Sequence, residues 1–361
     1  MLRELRIENF RSHKVTSIPL GRWTILYGEN GAGKSSLLDA MNIVSSFATG
    51  TALKHLFPPG VYSASGQVAD PSKPEILLSV ELEDDLLLGK TEMYRYELVV
   101  GGQGPTAVLN REELFVEGDS VLTAHAASST SLATSGCGDA EAAQALQAHL
   151  MWARRYRLEP RLIRRTSSNH HFIDKQGFGI PSAVDHLKST NPTAYAALIS
   201  DFLALFPAIA DLRTVQVGSG EIALEFDTGT STSLSGVHLS DGQALAFGLL
   251  FLAHSPEGPR MLLLDEPEVT LSPVLVKDLL GRIEDALTSD RQVLLTTHSP
   301  YVIQWGITND AQVRQVRDDF GTRSWADCLR QQAVDPDSLH STMTSIEIAT
   351  CCALLETYLV G

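Results

Sequence analysis

Trp23-Thr24-Ile25-Leu26-Tyr27-Gly28-Glu29-Asn30-Gly31-Ala32-Gly33-Lys34-Ser35-Ser36 is the stretch on which the fold turns. It begins as a strand-like apolar run that breaks at Gly28, and from Lys34 onward Leu37, Met41 and Val44 recur at helical spacing. Between strand and helix stands Gly, four residues, then Gly-Lys-Ser, the P-loop pattern. Such a turn lets backbone N–H groups wrap phosphates, Lys34 adds a positive charge between them, and Ser35 offers a hydroxyl to Mg²⁺. The helix start directs its positive dipole end to the same place.

Three later segments complete the pattern. The unbroken apolar run 261–264 delivers Asp265 and Glu266 to the carboxyl end of a buried strand, where open α/β sheets hold their ligands. Asp265 there would bind the Mg²⁺ hydration shell, and Glu266 would polarise an attacking water as general base. Leu239-Ser240-Asp241-Gly242-Gln243 has capping-box spacing, and a helix starting with Ser and Gly can receive a γ-phosphate presented by another subunit. His298 follows a second apolar run, 292–296, which would bring it to the same sheet edge as Glu266.

The remaining segments give an α/β fold. Residues 75–83, 94–100 and 107–116 read as antiparallel strands, 140–156 and 192–206 as helices, 213–217 with 221–226 as a hairpin, and 241–253 and 274–287 as helices. A nucleotide-binding core is expected from residues 1–45 and 210–305. Residues 46–209 would form inserted β and helical subdomains, and 306–361 a C-terminal extension. Residues 124–138 are small and polar, as in a loop, and 345–360 form an apolar stretch suited to a final helix.

The chain has 361 residues and is 43% hydrophobic, enough for a substantial core. The longest apolar run, 244–253, is too short for a bilayer span, which points to a soluble cytoplasmic protein. Twenty-eight basic against 43 acidic residues give a net charge of −15, which argues against a whole-surface affinity for polyanions. A local patch is still open: Arg154, Arg155, Arg157, Arg161, Arg164 and Arg165 are either a solvated helix end or a surface for nucleic-acid phosphates or an acidic partner. The four cysteines lack metal-binding spacing.

In the order of its motifs the chain resembles the ATP-binding-cassette ATPases: Walker A (Gly28 to Ser35), signature (Leu239 to Gln243), Walker B (Met261 to Glu266) and His switch (His298). Asn9-Phe10-Arg11-Ser12 is similar to the opening of SMC and RecF-type heads, in which the Arg approaches the nucleotide. Asp265-Glu266-Pro267-Glu268 and Thr297-His298-Ser299-Pro300 look like the ATPase heads of overcoming-lysogenization-defect nucleases and related prokaryotic anti-phage defence systems. The resemblance covers roughly residues 1–45 and 150–305. It implies an ABC-ATPase head with ATP and Mg²⁺ as ligands. Arg11, Gly28, Asn30, Gly31, Ala32, Gly33, Lys34, Ser35 and Ser36 would hold nucleotide, and Ser240, Asp241 and Gly242 would do so from a second copy. Ser35 and Asp265 would hold the metal, with Glu266 and His298 catalytic.

The chain departs from the resemblance in two places. Leu271-Ser272-Pro273 has serine where relatives have His or Asp, and no Gln, Gln176 included, can be assigned to the Q-loop. Long heptad arms are missing. Glu117-Gly118-Asp119 and Asp335-Pro336-Asp337 read as a turn and a loop rather than a toprim nuclease centre, since relatives carry toprim after the His switch. The resemblance implies a homodimer formed through an ATP sandwich that regulates a separate nuclease or toxin. A RecF-like DNA-binding repair ATPase and an ATP-bound scaffold with little turnover are the alternatives.

Overall fold

The computed structural model describes residues 1–57, 70, 75–84, 91–103, 106–125, 130–132, 139–151, 153–168, 171–218, 220–229, 233–317 and 322–324. The chain opens with a hairpin, β1 (Leu2–Phe10) and β2 (His13–Pro19). β3 (Trp23–Tyr27) then runs through the glycine turn into α1 (Lys34–Ala48) and the single turn α2 (Leu53–Leu56). β4 (Ile76–Asp84), β5 (Glu92–Gln103), β6 (Thr106–Val116) and β7 (Asp119–Ala124) extend the hairpin into an antiparallel sheet of order β2-β1-β4-β5-β6-β7.

α3 (Ala140–Leu150), β8 (Arg154–Tyr156), α4 (Pro160–Ile163), α5 (Ile180–Thr190) and α6 (Pro192–Leu205) follow. β9 (Asp211–Val217), β10 (Glu221–Asp227) and β11 (Ser233–Ser235) make a small antiparallel sheet. The last part alternates: α7 (Asp241–His254), β12 (Met261–Asp265), α8 (Pro273–Ala286), β13 (Gln292–Thr297), α9 (Pro300–Thr308), β14 (Gln312–Val316) and β15 (Thr322–Ser324). The second large sheet has the order β15-β14-β3-β13-β12-β8, in which all neighbours are parallel except β14 and β15.

Strands buried on both faces lose the polar alternation of a half-exposed sheet, which is why 261–264 and 293–295 are unbroken apolar runs. Met261, Leu263 and Leu294 pack into one core with α1, α3 and the antiparallel sheet. Leu262, Leu264, Val293 and Leu295 pack into the other with α5, α6, α7, α8 and α9. α1 is thus clamped between the two large sheets, and its first turn is fixed by both.

The sheets cut across the division expected from the sequence. β1 and β2 lie within residues 1–45 but pair with the antiparallel sheet. β8 lies within 46–209 but adds to the parallel sheet beside β12, and β14 joins that sheet from beyond residue 305. The helix expected over 140–156 stops at Leu150, and residues 154–156 are a strand instead. Their partners are Leu262 to Leu264, so no local pattern announces them. Glu117 (φ 50) and Gly118 (φ 93) form the tight turn between β6 and β7. Residues 345–360, Asp335-Pro336-Asp337 and most of 124–138 lie outside the described residues. Among the described residues no helix is long and apolar enough to cross a membrane.

A buried arginine fixes the end of α7. Arg291, 6% exposed, donates from Nη2 to Leu252 O at 2.7 Å, from Nη1 to Ala253 O at 2.7 Å and from Nε to Pro259 O at 3.0 Å. The Leu252 and Ala253 carbonyls are among those that a helix end leaves without partners, and Pro259 O belongs to the loop that follows. Burial pulls the guanidinium down to about 10. Arg291→Met keeps the aliphatic stem and removes every donor, so urea unfolding should show a loss of about 3 kcal/mol, the cost of buried carbonyls left unpaired. An unchanged midpoint would mean that another group already satisfies them.

Candidate functional site

Parallel pairing of β3, β13 and β12 puts their carboxyl ends along one edge, and the candidate site is assembled there. The chain leaves β3 through Gly28 at φ 151, where a Cβ would stand 2.3 Å from Val316 O of β14, and reaches α1 through Gly33 at φ 98. Only glycine meets both demands. No side chain caps α1; the Ser36 N–H donates to Gly33 O at 2.9 Å, which leaves the N–H groups of Lys34 and Ser35 for an anion. Asn30 and Gly31 are exposed at the loop tip, while Ala32 and Ser36 are buried below it. Lys34 is 6% exposed, and its Nζ donates to Gly28 O at 2.8 Å and to Glu29 O at 2.9 Å. Burial lowers its pKa, against the pull of Glu266 and Asp265.

Asp265 is the hub. Its Oδ1 accepts from Thr296 Oγ1 at 2.9 Å and from Ser35 Oγ at 3.2 Å, and its Oδ2 accepts from the Arg155 guanidinium. Burial would raise this carboxyl, but the bonds from Arg155, Thr296 and Ser35 outweigh burial and hold it below the usual value. An ionised carboxylate beside a hydroxyl is a hard oxygen donor set of the kind Mg²⁺ takes, so the residues fit that ion.

Glu266 turns away from its neighbour. It stands at φ 47, a left-handed conformation that costs on the order of 1–3 kcal/mol for a residue with a Cβ. Its N–H is held by Thr296 O at 3.1 Å. The turn brings its Oε1 to 3.3 Å from His298 Nε2, with both side chains more than one-third exposed. Sequence reasoning assigned no role to Glu268, yet it supports this pair. Its Oε1 accepts from the Thr297 hydroxyl and from the His298 N–H at 3.3 Å, and Oε2 is buried without a partner. Burial pushes Glu268 up, and nearby Glu266 adds to the rise.

His13 was likewise missed, and its only signal was its place after Asn9-Phe10-Arg11-Ser12. It is fully buried behind the glycine loop, with Nε2 3.1 Å from Gly33 O and Nδ1 2.9 Å from Thr16 Oγ1. Since Gly33 O can only accept, Nε2 carries the hydrogen and Nδ1 accepts. A Cβ on Gly33 would sit 2.3 Å from that ring nitrogen. Arg11 stands on the same β1–β2 turn at φ 52, and its guanidinium meets Asp39 of α1 at 2.5 Å.

The structure gathers Lys34, Ser35, Asp265, Glu266 and His298, and holds Ser240, Asp241 and Gly242 elsewhere. Ser240 caps α7 in a full capping box with Gln243; Ser240 and Asp241 are exposed. Among the described residues no hydrogen bond joins them to the glycine loop. Arg164 supports them, donating to Leu239 O and, at 2.6 Å, to Asp241 Oδ1. The arginine cluster is therefore divided. Arg155 and Arg164 turn inward to carboxylates, while Arg154, Arg157, Arg161 and Arg165 are exposed. Gln176 bonds Glu159 at 2.5 Å, and Ser272 caps α8, which gives the serine of Leu271-Ser272-Pro273 a structural role.

A family model described as "AAA domain, putative AbiEii toxin, Type IV TA system" matches residues 24–304. The chain belongs to this family. It is a family of P-loop ATPases, and this member has the fold of an ABC-type ATPase head. An SMC head bound to the C-winged helix domain of ScpA aligns with a TM-score of 0.61 at 15% identity, over 90% of this chain and 97% of that one. An SMC head from Pyrococcus furiosus, with an extended coiled coil and bound to the C-terminal domain of ScpA, aligns with a TM-score of 0.55 at 13% identity, over 93% and 99%. No curated protein matches the sequence.

Behind the P-loop of this AAA-domain protein, burial lowers the His13 pKa from 6.5, with the Gly33 bond opposing. The unfolded chain therefore takes up a proton near pH 6.5 before the folded one does. His13's contribution to stability is full above that value and is lost as pH falls toward the lower folded pKa. Melting temperature should drop between about pH 7.5 and about pH 5.5, and His13→Gln should drop less. Equal drops in both proteins would exclude His13 as the source.

Proposed function

We propose that this protein is an ATP-hydrolysing switch whose two copies close head to head on ATP and Mg²⁺ and regulate a separate effector. The observation that carries the reading is the split of the candidate site. Lys34, Ser35, Asp265, Glu266 and His298 share one sheet edge, while Ser240 and Asp241 are exposed at the start of α7, with no hydrogen bond to the glycine loop among the described residues. In this reading the cradle of one chain would be completed by the Ser240 helix start of a second copy.

Within the cradle, Lys34 and the N–H groups of the glycine loop and α1 would bind phosphate oxygens. Ser35 and Asp265 would hold Mg²⁺, which neutralises phosphate charge. Glu266 Oε1 would take the proton of the attacking water, with His298 Nε2 keeping the carboxylate and water aligned. Glu268 and Thr297 keep His298 in register with Glu266.

The family's description, which names a putative toxin and a toxin–antitoxin system, supports a toxin–antitoxin setting for the switch; a role in anti-phage defence in the cytoplasm is part of the same proposal. The exposed Arg154, Arg157, Arg161 and Arg165 favour the second reading, a RecF-like DNA-binding ATPase. The inward commitment of Arg155 and Arg164 reduces the charge available for it.

Glu266→Gln keeps the shape and removes the base. ATP binding should be unchanged, and phosphate release should slow by a factor on the order of 10² to 10⁴. The variant should then accumulate as an ATP-bound dimer in light scattering. Parent-like turnover would place the base elsewhere, and lost turnover without a dimer would reject the switch. Ser240→Arg should bind ATP as a monomer and fail to dimerise. A dimer in that variant would remove Ser240 from the contact.

A further inference from the structure

The charges around Asp265 form a chain that nucleotide chemistry alone does not require. Arg11 meets Asp39 Oδ2 at 2.5 Å, Asp39 Oδ1 meets Arg155 Nη1 at 2.5 Å, and the other end of the Arg155 guanidinium bonds Asp265 Oδ2. Four segments contribute: the β1–β2 turn, α1, β8 and β12. Asp39 lies one helical turn beyond Ser35, so both face the same side of α1. Arg155 reaches this side because β8 pairs in parallel with β12, opposite Leu263. The Asp265 side chain is only 6% exposed and that of Arg155 24%, so the pair is little weakened by water.

We infer that Arg155 is a positioning residue that sets the metal affinity of the site, because its guanidinium and a divalent cation draw on the same Asp265 carboxylate. The inference rests on the reading of Ser35 and Asp265 as the Mg²⁺ position. Of the two Asp265 oxygens, Oδ1 faces Ser35 and Thr296, and Oδ2 is taken by Arg155. A doubly charged ion near Ser35 is repelled by the guanidinium, and it attracts the carboxylate away from Arg155. Asp39, one helical turn beyond Ser35, offers the guanidinium a second anionic partner. The balance between Asp39 and Asp265 for one arginine therefore decides how much of the Asp265 charge a metal receives.

Arginine suits this role because it is always charged and its fork spans two carboxylates at once. Burial acts against the Arg155 charge, but the bonds to Asp265 and Asp39 prevail and raise its pKa above the ordinary value. The chain ends at Arg11, beside the Ser12 and His13 that back Gly33, so a shift of Arg155 toward Asp39 would be felt behind the glycine loop.

Mn²⁺ is the probe, titrated into the full chain with a saturating non-hydrolysable ATP analogue, with free Mn²⁺ read by electron paramagnetic resonance. Arg155→Gln should bind Mn²⁺ more tightly by on the order of tenfold, the effect of removing one nearby like charge. Arg155→Lys should return affinity toward the parent. Asp39→Asn should weaken Mn²⁺ binding several-fold, since Arg155 then bears on Asp265 alone. A merely structural role for these residues would weaken binding in both Arg155→Gln and Asp39→Asn. Should Arg155→Gln fail to fold, Asp39→Asn still puts the inference at risk: unchanged or tighter binding there overturns it. Unchanged or weaker binding in Arg155→Gln overturns it as well. Ser35→Ala separates the two levels. If it weakens Mn²⁺ binding while Arg155→Gln has no effect, only the role of Arg155 falls; if it too has no effect, the metal position is wrong and the inference falls with it.

Discussion

The Asp265 carboxylate is the constraint on which the rest of the site depends. A buried carboxylate keeps its charge only when its oxygens are satisfied, and for Asp265 the partners come from α1, β8 and β13. Satisfying it therefore fixes the relative heights of three elements that are far apart in sequence. The parallel ladders β12–β13 and β12–β8 supply that register, and the apolar runs on either face supply the burial that makes the hydrogen bonds obligatory. Thr296 contributes twice, through its hydroxyl to Asp265 and through its carbonyl to the Glu266 N–H. One residue of β13 thus sets both the carboxylate proposed for the metal and the one proposed for water.

One of the strained backbone positions falls where the chemistry is proposed. Asp265 ends its strand in ordinary extended geometry and Glu266 is left-handed, so consecutive carboxylates point in different directions. Extended geometry would have put them on opposite faces of the sheet, and a helical start would have put them side by side. The left-handed step is held by hydrogen bonds to Thr296, and the His298 ring meets the carboxylate that results. Glu268 ties the other end of the same loop to Thr297 and His298. The Asp-Glu-Pro-Glu segment works as a brace between two strand ends, with an acidic residue at each corner.

The arginines show how composition can mislead. Six of them within residues 154–165 of an acidic chain look like one surface patch, but two are structural ties, one to Asp265 and Asp39 and the other to the start of α7. Arg291, outside that group, secures the other end of α7 through its carbonyls. The helix that presents Ser240 is therefore gripped at both ends by guanidinium groups, Arg164 at its N-terminus and Arg291 at its C-terminus. Its pose is set by these two arginines together with the Ser240–Gln243 capping box.

The sequence by itself determined the P-loop ATPase class and named the residues proposed for the cradle. Gly28 to Ser35 and Met261 to Glu266 are local patterns, and a local pattern is legible because backbone conformation and strand burial leave their mark on adjacent residues. The alternating strands and helices of the last third were readable for the same reason. Tertiary structure alone decided which residues join that cradle from a distance. β8 carries no periodicity of its own, and only its pairing with Leu262 to Leu264 takes Arg155 to Asp265. His13 is distant in sequence from every motif except the run it ends, and only the fold of the opening hairpin puts it behind Gly33. Glu268 and Thr297 meet because two strand ends are neighbours. Such contacts depend on register between non-local strands, and register is written in the packing of both faces of a sheet and not in any single segment.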